Sequence, residues 1–235
     1  DVLRLLSVMR AEIEAMRGLT VIGGAALDLA RHGPDENKAK LDERASLLIP
    51  VIKGWLTERA VTLTSDALQV HGGMGFIEET GAAQHYRDSR ILPIYEGTTA
   101  IQANDLVFRK TLRDGGASVR ALLAEMEADL IELDEGLAAP MRHALVTTHQ
   151  TLDFLCGIAN DPRRAAVSSV DWLMMLGWLC GGWVMAKSGH VVATGKAEGF
   201  SDSFLAAKRV TADIYLQQCL PELETLARVI TSGGD

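Results

Sequence analysis

The sequence predicts an all-α protein, built as an up-and-down helical bundle followed by a second helical bundle. Apolar residues make up 48% of the 235 residues but aromatic residues only 5%, a balance that favours alanine- and leucine-rich helices. These apolar residues recur at three- and four-residue steps, and no alternating strand pattern extends beyond short pieces. A chain of this length can bury one large core or two smaller ones.

The first predicted bundle covers residues 1–112 and begins with two long helices. The apolar periodicity predicts a helix over 2–31, which His32-Gly33-Pro34 ends. A second helix is predicted from about 38 to 70 and is apolar on more than one side. Pro50 lies inside it and lacks a backbone donor, so a kink or a local break is expected near residue 49.

Shorter elements complete this bundle. Three glycines in Gly72-Gly73-Met74-Gly75 predict a loop, because each would cost a helix about 1 kcal/mol. Helices are predicted over 79–88 and 98–112, the latter with Thr98 or Thr99 as its N-cap.

The sequence Arg113-Asp114-Gly115-Gly116 predicts a boundary, because paired glycines follow a helix with basic residues in its last turns. The second bundle is then predicted over 117–235. Its helices are expected over 117–136, 138–158, 165–195, 202–219 and 221–230, with a turn at 160–162.

The uncharged stretch 172–186 is shorter than the ~20 residues of a membrane span. We therefore expect a buried core or subunit-interface helix and no membrane span, with surface contact to a membrane as the alternative. Its glycines would allow another helix to approach closely.

The formal charge of −8 argues against a nucleic-acid-binding surface, which needs a concentrated basic face. The three cysteines, Cys156, Cys180 and Cys219, are far apart and have no metal-binding spacing, so we expect reduced thiols and no metal site. No signal peptide is visible after Asp1, and we expect a cytoplasmic protein.

Two short motifs carry the chemistry. Tyr95-Glu96-Gly97-Thr98 places a lone carboxylate between an aromatic residue and a glycine where a helix begins, and Gly72-Gly73-Met74-Gly75 lies upstream, with Tyr86-Arg87-Asp88 between them. Alone, such a glutamate is most often a solvated residue that complements the helix dipole, and such a glycine run is most often a turn. Their combination, order and spacing change that interpretation.

Over residues 1–112 these motifs resemble the acyl-CoA dehydrogenase family. The resemblance implies that Glu96 removes the α-proton of an acyl-CoA thioester while a hydride leaves the β-carbon for FAD, giving a trans-2-enoyl-CoA. It also implies that Tyr95 and Gly97 contact the substrate and that Thr98 lies near the flavin. Such a base works in a water-poor pocket, where burial raises the pKa of a carboxylate.

By the same resemblance Gln69, Gly72 and Gly73 contact FAD bound mainly to a neighbouring subunit, because glycines leave backbone N–H groups open to anionic oxygens. Arg87 and Asp88 are expected to be structural, and His71 and His85 to be structural or exposed. Implied partners are acyl-CoA, electron-transfer flavoprotein and a second copy of the chain, with a dimer favoured over other oligomers.

Residues 117–235 resemble the extra helical domain of long-form members, a group that includes 3-methylthiopropionyl-CoA and fatty acyl-CoA dehydrogenases. The sequence contains no strand-rich middle domain and no N-terminal helical domain of that family. We therefore expect the chain alone to be inactive and to bind FAD weakly or not at all. Two alternatives remain: an acyl-CoA oxidase on the same scaffold, and a non-catalytic helical oligomerisation module.

Overall fold

The computed structural model describes residues 1–195 and 197–232, which contain helices and turns and no strand, so the all-α prediction is confirmed. The α-helices are α1 (Val2–His32), α2 (Asp35–His71), α3 (Gly73–Phe76), α4 (Ala82–Ser89), α5 (Thr99–Asn104), α6 (Ala117–Asp129), α7 (Glu135–Gly157), α8 (Pro162–Val167), α9 (Ser169–Ala193), α10 (Asp202–Ile214) and α11 (Glu222–Ser232). Single 3₁₀ turns occupy Glu78–Thr80 and Leu130–Glu132, and π-helical turns occupy Asp105–Leu112 and Tyr215–Cys219.

Helices α1 and α2 form an antiparallel hairpin. Gly33 ends α1 by donating its N–H to the carbonyl of Leu29 at 2.8 Å, and α2 begins directly after Pro34. A buried ion pair joins the two helices: Arg59 donates from Nε and Nη2 to the carboxylate of Glu12 at 2.7 and 3.0 Å. Burial raises the pKa of Glu12, although Arg59 acts to lower it.

Of the kink or local break expected near Pro50, the local break does not occur. Helix α2 is continuous from Asp35 to His71, and Pro50 is buried within it. A proline removes one backbone donor, and the packing of α2 against both α1 and α9 holds the helix together across that gap. The helix also begins three residues earlier than the pattern indicated.

The glycine loop is also different from its prediction. Only Gly72, with φ of 62°, leaves the helical region, and Gly73–Phe76 then closes one short helical turn, α3. The chain folds back tightly on α2, since a Cβ on Gly75 would lie 2.4 Å from the carbonyl oxygen of Leu68. The helix predicted over 79–88 begins later, at Ala82, because Gly81 has φ of 80°.

Two predicted helices end in wider turns. The helix over 98–112 becomes π-helical from Asp105, and the helix over 202–219 becomes π-helical from Tyr215. Thr111 Oγ1 donates to the carbonyl of Leu106 at 2.9 Å, a five-residue step that the ordinary α-helical period does not predict.

The boundary at residues 113–116 is a turn in which Gly115 and Gly116 both have positive φ. Asp114 caps α6: its carboxylate accepts from the backbone N–H groups of Gly116, Ala117 and Ser118 at 3.0–3.1 Å. Burial acts to raise the pKa of Asp114, but the hydrogen bonds from Ser118 and the neighbouring backbone outweigh it and lower the pKa below 3.8.

The long helix predicted over 165–195 is two helices. Asp161 accepts from the N–H groups of Arg163 and Arg164 and so begins α8. Helix α8 ends at Val167, and α9 begins at Ser169 after the single residue Ser168. The helix predicted over 117–136 is shorter, ending in a 3₁₀ turn at Leu130–Glu132, and α7 begins at Glu135.

Helix α9 is the centre of the molecule. It packs against α1, α2, α7, α10 and α11, and its glycines permit close approach: Gly177 lies against Trp55, Gly181 against Tyr215. In the described part of the chain α9 is the one helix long and apolar enough to cross a membrane, yet most of it is buried inside the fold. The buried-core interpretation of 172–186 is confirmed.

Residues on both sides of the 113–116 turn contribute to one continuous hydrophobic core. The cluster includes Leu19 and Trp55 from the first predicted bundle and Leu123, Trp172 and Trp183 from the second. Polar contacts also cross between the two segments, among them the ion pair of Arg44 with Glu125 at 2.8 Å. The two segments therefore stabilise each other by packing.

Candidate active site

The turn between α4 and α5 presents Glu96 in an uncommon backbone conformation. Glu96 has φ of 53°, and in the described residues it is the single non-glycine residue with positive φ. That region costs an L-amino acid about 1–2 kcal/mol, and such outliers concentrate at functional sites. Gly97 follows with φ of 88°, so two successive residues have left-handed backbone.

Glycine is favoured at position 97 because its positive φ disfavours a side chain. A Cβ there would also lie 2.6 Å from Nε2 of Gln102, a flexible side chain that could move aside. Among the described residues, none accepts a hydrogen bond from the N–H of Glu96.

Thr98 is the N-cap of α5, as the sequence predicts. Its Oγ1 accepts from the N–H of Ile101 at 3.4 Å, and the N–H of Thr99 donates to the carbonyl of Pro93 at 3.2 Å. Pro93 is buried, so the turn is closed at its base against the core while its tip faces outward.

The residues that the structure describes do not form the expected water-poor pocket around Glu96. Glu96 is exposed, and the side chain of Tyr95 beside it is 49% exposed. Helix α2 lies beneath the turn, but none of the described residues covers its outer side. A pocket for Glu96 would therefore need walls from another polypeptide segment.

Two side chains of α2 contact the turn from below. Lys53 Nζ donates to the carbonyl of Leu92 and lies 5.1 Å from the centre of the Tyr95 ring. Glu58 accepts a hydrogen bond of 2.5 Å from Oγ1 of Thr99. Sequence analysis missed both residues, since they lie about 40 positions upstream and no local spacing connects them with the motif.

The glycine-rich segment lies at the carboxyl end of α2. Gln69, Gly72 and Gly73 are all exposed, and a Cβ on either glycine would meet no atom within 4 Å. Gly72 combines φ of 62° with ψ of −147°, a region open essentially to glycine alone. The backbone there is accessible to an anionic group, which fits the contact expected with a dinucleotide.

The structure does not bring the two motifs together. Tyr95, Glu96, Gly97 and Thr98 share one turn, which is attached to α2 at Glu58. Gly72 lies fourteen residues farther along the helix, roughly 20 Å at the rise of an α-helix. Within one chain the two motifs are therefore separate surfaces of the same helix.

The remaining candidates have structural or surface roles. Arg87 Nη1 pairs with Glu78 at 2.8 Å, and both side chains are exposed. His71 and His85 are also exposed. All three cysteines are free, and the described residues contain no group of three or more side chains able to hold a metal ion.

Comparison with known families covers nearly the whole chain. Residues 1–111 match the family described as acyl-CoA dehydrogenase, C-terminal domain, and residues 117–235 match the one described as acetyl-CoA dehydrogenase C-terminal like. The chain belongs to the acyl-CoA dehydrogenase family. The division between the two matches coincides with the turn at Gly115 and Gly116.

Two curated acyl-CoA dehydrogenases show the extent of the likeness. The 3-methylmercaptopropionyl-CoA dehydrogenase of Ruegeria pomeroyi is 47% identical across 100% of this chain and 41% of the relative. The broad-specificity linear acyl-CoA dehydrogenase FadE5 of Mycobacterium tuberculosis is 31% identical across 98% of this chain and 40% of its own length. The chain thus spans about two fifths of these acyl-CoA dehydrogenases.

Solved structures of acyl-CoA dehydrogenases share the fold. ACDH-11 of Caenorhabditis elegans, in complex with C11-CoA, matches with a TM-score of 0.67 and 21% identity over 98% of this chain and 40% of that one. An acyl-CoA dehydrogenase of Bacillus anthracis complexed with FAD matches with a TM-score of 0.68 and 20% identity over 99% of this chain and 42% of that one.

Proposed function

We propose that this chain supplies the catalytic base and part of the FAD contacts of a longer acyl-CoA dehydrogenase. The enzyme would oxidise an acyl-CoA thioester to the trans-2-enoyl-CoA. The observation that carries the proposal is the left-handed Glu96, the single non-glycine residue with positive φ in the described chain, at the motif position of the family's base.

The carboxylate of Glu96 accepts the α-proton of the thioester, and FAD, when bound, supplies the acceptor for the β-hydride. The N–H of Glu96 has no acceptor among the described residues, so it is available to the thioester oxygen. A donor fixed in advance stabilises the negative charge that develops on that oxygen. Gly97 permits the close approach, and the ring of Tyr95 forms an apolar wall beside it.

Exposed apolar side chains around both motifs support a larger assembly. Met74 is 58% exposed and Phe76 85% exposed beside the glycines, and Ile94 and Ile101 are exposed beside Glu96. Apolar groups clustered on a surface typically mark a contact with other protein. Residues of the longer protein or of a second copy would cover them and exclude water from Glu96.

FAD fits the open backbone at Gly72 and Gly73, with Gln69 as the side chain that contacts it. The proposed electron acceptor is electron-transfer flavoprotein. The proposed assembly is a homodimer, and the proposed location is the cytoplasm. The chain alone is proposed to be inactive, because residues 1–195 and 197–232 leave Glu96 exposed. Hydrogen peroxide release by the full-length enzyme would instead identify an oxidase.

The oligomerisation-module alternative loses its main support. It depended on the apolar stretch 172–186, and that stretch is inside the core of this chain and so is not available to another subunit.

The test is Glu96→Gln in the full-length enzyme. Loss of a general base lowers turnover about 10²- to 10⁴-fold, and flavin absorbance should be unchanged because the variant retains the backbone. Glu79→Gln, an exposed carboxylate in the connection to α4, is the matched control and is expected to retain wild-type turnover. Near-wild-type activity of Glu96→Gln would refute the assignment of the base.

A further inference from the structure

We infer that Lys53 and Glu58 are positioning residues, which together hold the Glu96 turn on helix α2. Lys53 contacts the turn on the side before Glu96, and Glu58 contacts it on the side after. The inference rests on the proposed role of Glu96 as the base. It adds two residues, some 40 positions away in the sequence, that fix the conformation of the turn presenting Glu96.

The Glu96 turn needs an external restraint. A left-handed non-glycine residue persists only where the surrounding structure fixes it, since this backbone region is disfavoured for an L-amino acid. Within the turn, backbone hydrogen bonds run from Tyr95 to Ile91 and from Thr99 to Pro93, and both lie at its base. Its tip, at Glu96 and Gly97, has no backbone hydrogen bond of its own to the described residues.

Lys53 restrains the side of the turn that precedes Glu96. Its ammonium donates to the carbonyl of Leu92 and lies 5.1 Å from the centre of the Tyr95 ring, so one group fixes both a backbone position and a side chain. An ammonium over an aromatic face is attracted by the negative charge density of the ring. Tyr95 is adjacent to Glu96, so this contact holds the residue that precedes the left-handed position.

Glu58 restrains the side that follows Glu96. Its carboxylate accepts from Oγ1 of Thr99 at 2.5 Å, next to the N-cap residue Thr98. A hydrogen bond to a carboxylate is stronger than one between two neutral groups. Both ends of the turn, Leu92 and Thr99, are thus attached to α2. These contacts fix the distance between the two ends.

The two restraints share a rigid support. Lys53 and Glu58 are five residues apart on α2, an axial separation of roughly 7.5 Å. Between them lie Gly54 and Trp55, which pack against Leu173 and Gly177 of α9. The turn is thereby fixed to the part of α2 that is buried deepest.

A first experiment tests the restraint itself in this chain. Amide hydrogen exchange is compared for the wild type, Lys53→Met and Glu58→Ala at the N–H groups of Ile94, Tyr95 and Thr99, which donate the backbone hydrogen bonds at the base of the turn. The control is Lys40→Met, which removes the same charge from an exposed position of the same helix. We expect exchange at these three amides to become at least about tenfold faster in Lys53→Met and in Glu58→Ala and to be unchanged in the control. Wild-type exchange in both would overturn the inference.

A second experiment tests the link to catalysis in the full-length enzyme. Displacement of a catalytic group by about 1 Å can cost about 100-fold in rate, so kcat should fall about 10- to 100-fold in Lys53→Met and Glu58→Ala. The isotope effect of an α-deuterated acyl-CoA should rise, because proton removal becomes slower relative to the other steps. A general loss of folded protein would not change that isotope effect.

Conservative variants provide the rescue. Lys53→Arg keeps a donor and a cation over Tyr95, and Glu58→Gln keeps an acceptor for Thr99, so both are expected to recover most of kcat. Faster exchange with unchanged kcat and isotope effect would overturn the positioning role. Near-wild-type turnover of Glu96→Gln, measured separately, would instead refute the base assignment while the exchange result still reported on the restraint.

Discussion

The contact between Gly177 of α9 and Trp55 of α2 makes a strong prediction about the variant Gly177→Ala. An alanine Cβ at this position would lie 2.1 Å from Cγ and 2.5 Å from Cδ1 of Trp55. Carbon atoms pack at about 3.5–4.0 Å, so the indole would have to move by about 1.5 Å. Trp55 is fully buried, and its ring packs edge-on against Trp178 at 5.5 Å, which leaves no free space.

Two opposing terms set the magnitude. Replacing glycine by alanine within a helix favours folding by about 1 kcal/mol. Overpacking a rigid core costs about 1–3 kcal/mol and occasionally more, and a conflict with an aromatic ring belongs at the upper end. The net destabilisation is therefore about 2 kcal/mol, which lowers the Tm of a chain of this size by about 4–8 °C.

Differential scanning calorimetry checks this prediction against Gly24→Ala, a helical glycine of α1 whose Cβ would meet no atom within 4 Å. The control is expected to be stabilised by about 0.5–1 kcal/mol. One cooperative transition should shift as a whole, because Gly177 and Trp55 come from the two predicted bundles. An unchanged or raised Tm for Gly177→Ala, or a shift in one of two separate transitions, would refute a shared core.

Three further predictions concern charge and thiol chemistry. Urea unfolding of Glu12→Leu should show a loss of about 1.5–3 kcal/mol, because the half-buried guanidinium of Arg59 loses its carboxylate partner, and Arg59→Met in the same chain should restore most of it. Asp114→Ala should cost about 1 kcal/mol near pH 7. Folding lowers the pKa of Asp114, so the wild type keeps its full advantage in the free energy of unfolding above pH 3.8. That advantage is lost as the pH falls through the pKa of the folded state. Burial raises the pKa of Cys180 to about 12, so a thiol reagent at pH 8 should modify Cys156 alone before unfolding, and rapid reaction of all three native thiols would contradict this burial.

Helix existence and type could be predicted from the sequence, whereas turns that depend on packing could not. The apolar period of α1 and the stop at Gly33 give its limits within a residue. Pro50 indicated a break that packing on both sides of α2 prevents. The separation of α8 from α9 at Ser168, and the π-helical turn from Asp105, have no signal in the periodicity of the sequence.

The chemistry of the site could be predicted from a local motif. The residues that hold the Glu96 turn in place could not be predicted. Glu96, Gly97 and Thr98 are adjacent in the chain, so one turn presents all of them. Lys53 and Glu58 approach that turn through the packing of α2, and long-range contacts of this kind leave no periodic pattern in a single sequence. The exposure of Glu96 likewise depends on which surfaces of the chain are covered by other protein, and residue spacing does not report it.

The position of α9 also has a consequence during synthesis on the ribosome. Trp55 is translated about 120 residues before the glycine of α9 against which it packs. At roughly 5–20 residues per second, about 6–24 s pass between the translation of Trp55 and that of Gly177. Throughout that interval the apolar face of the nascent α1–α2 hairpin is exposed. Chaperones that recognise apolar surfaces can therefore bind it before α9 is synthesised.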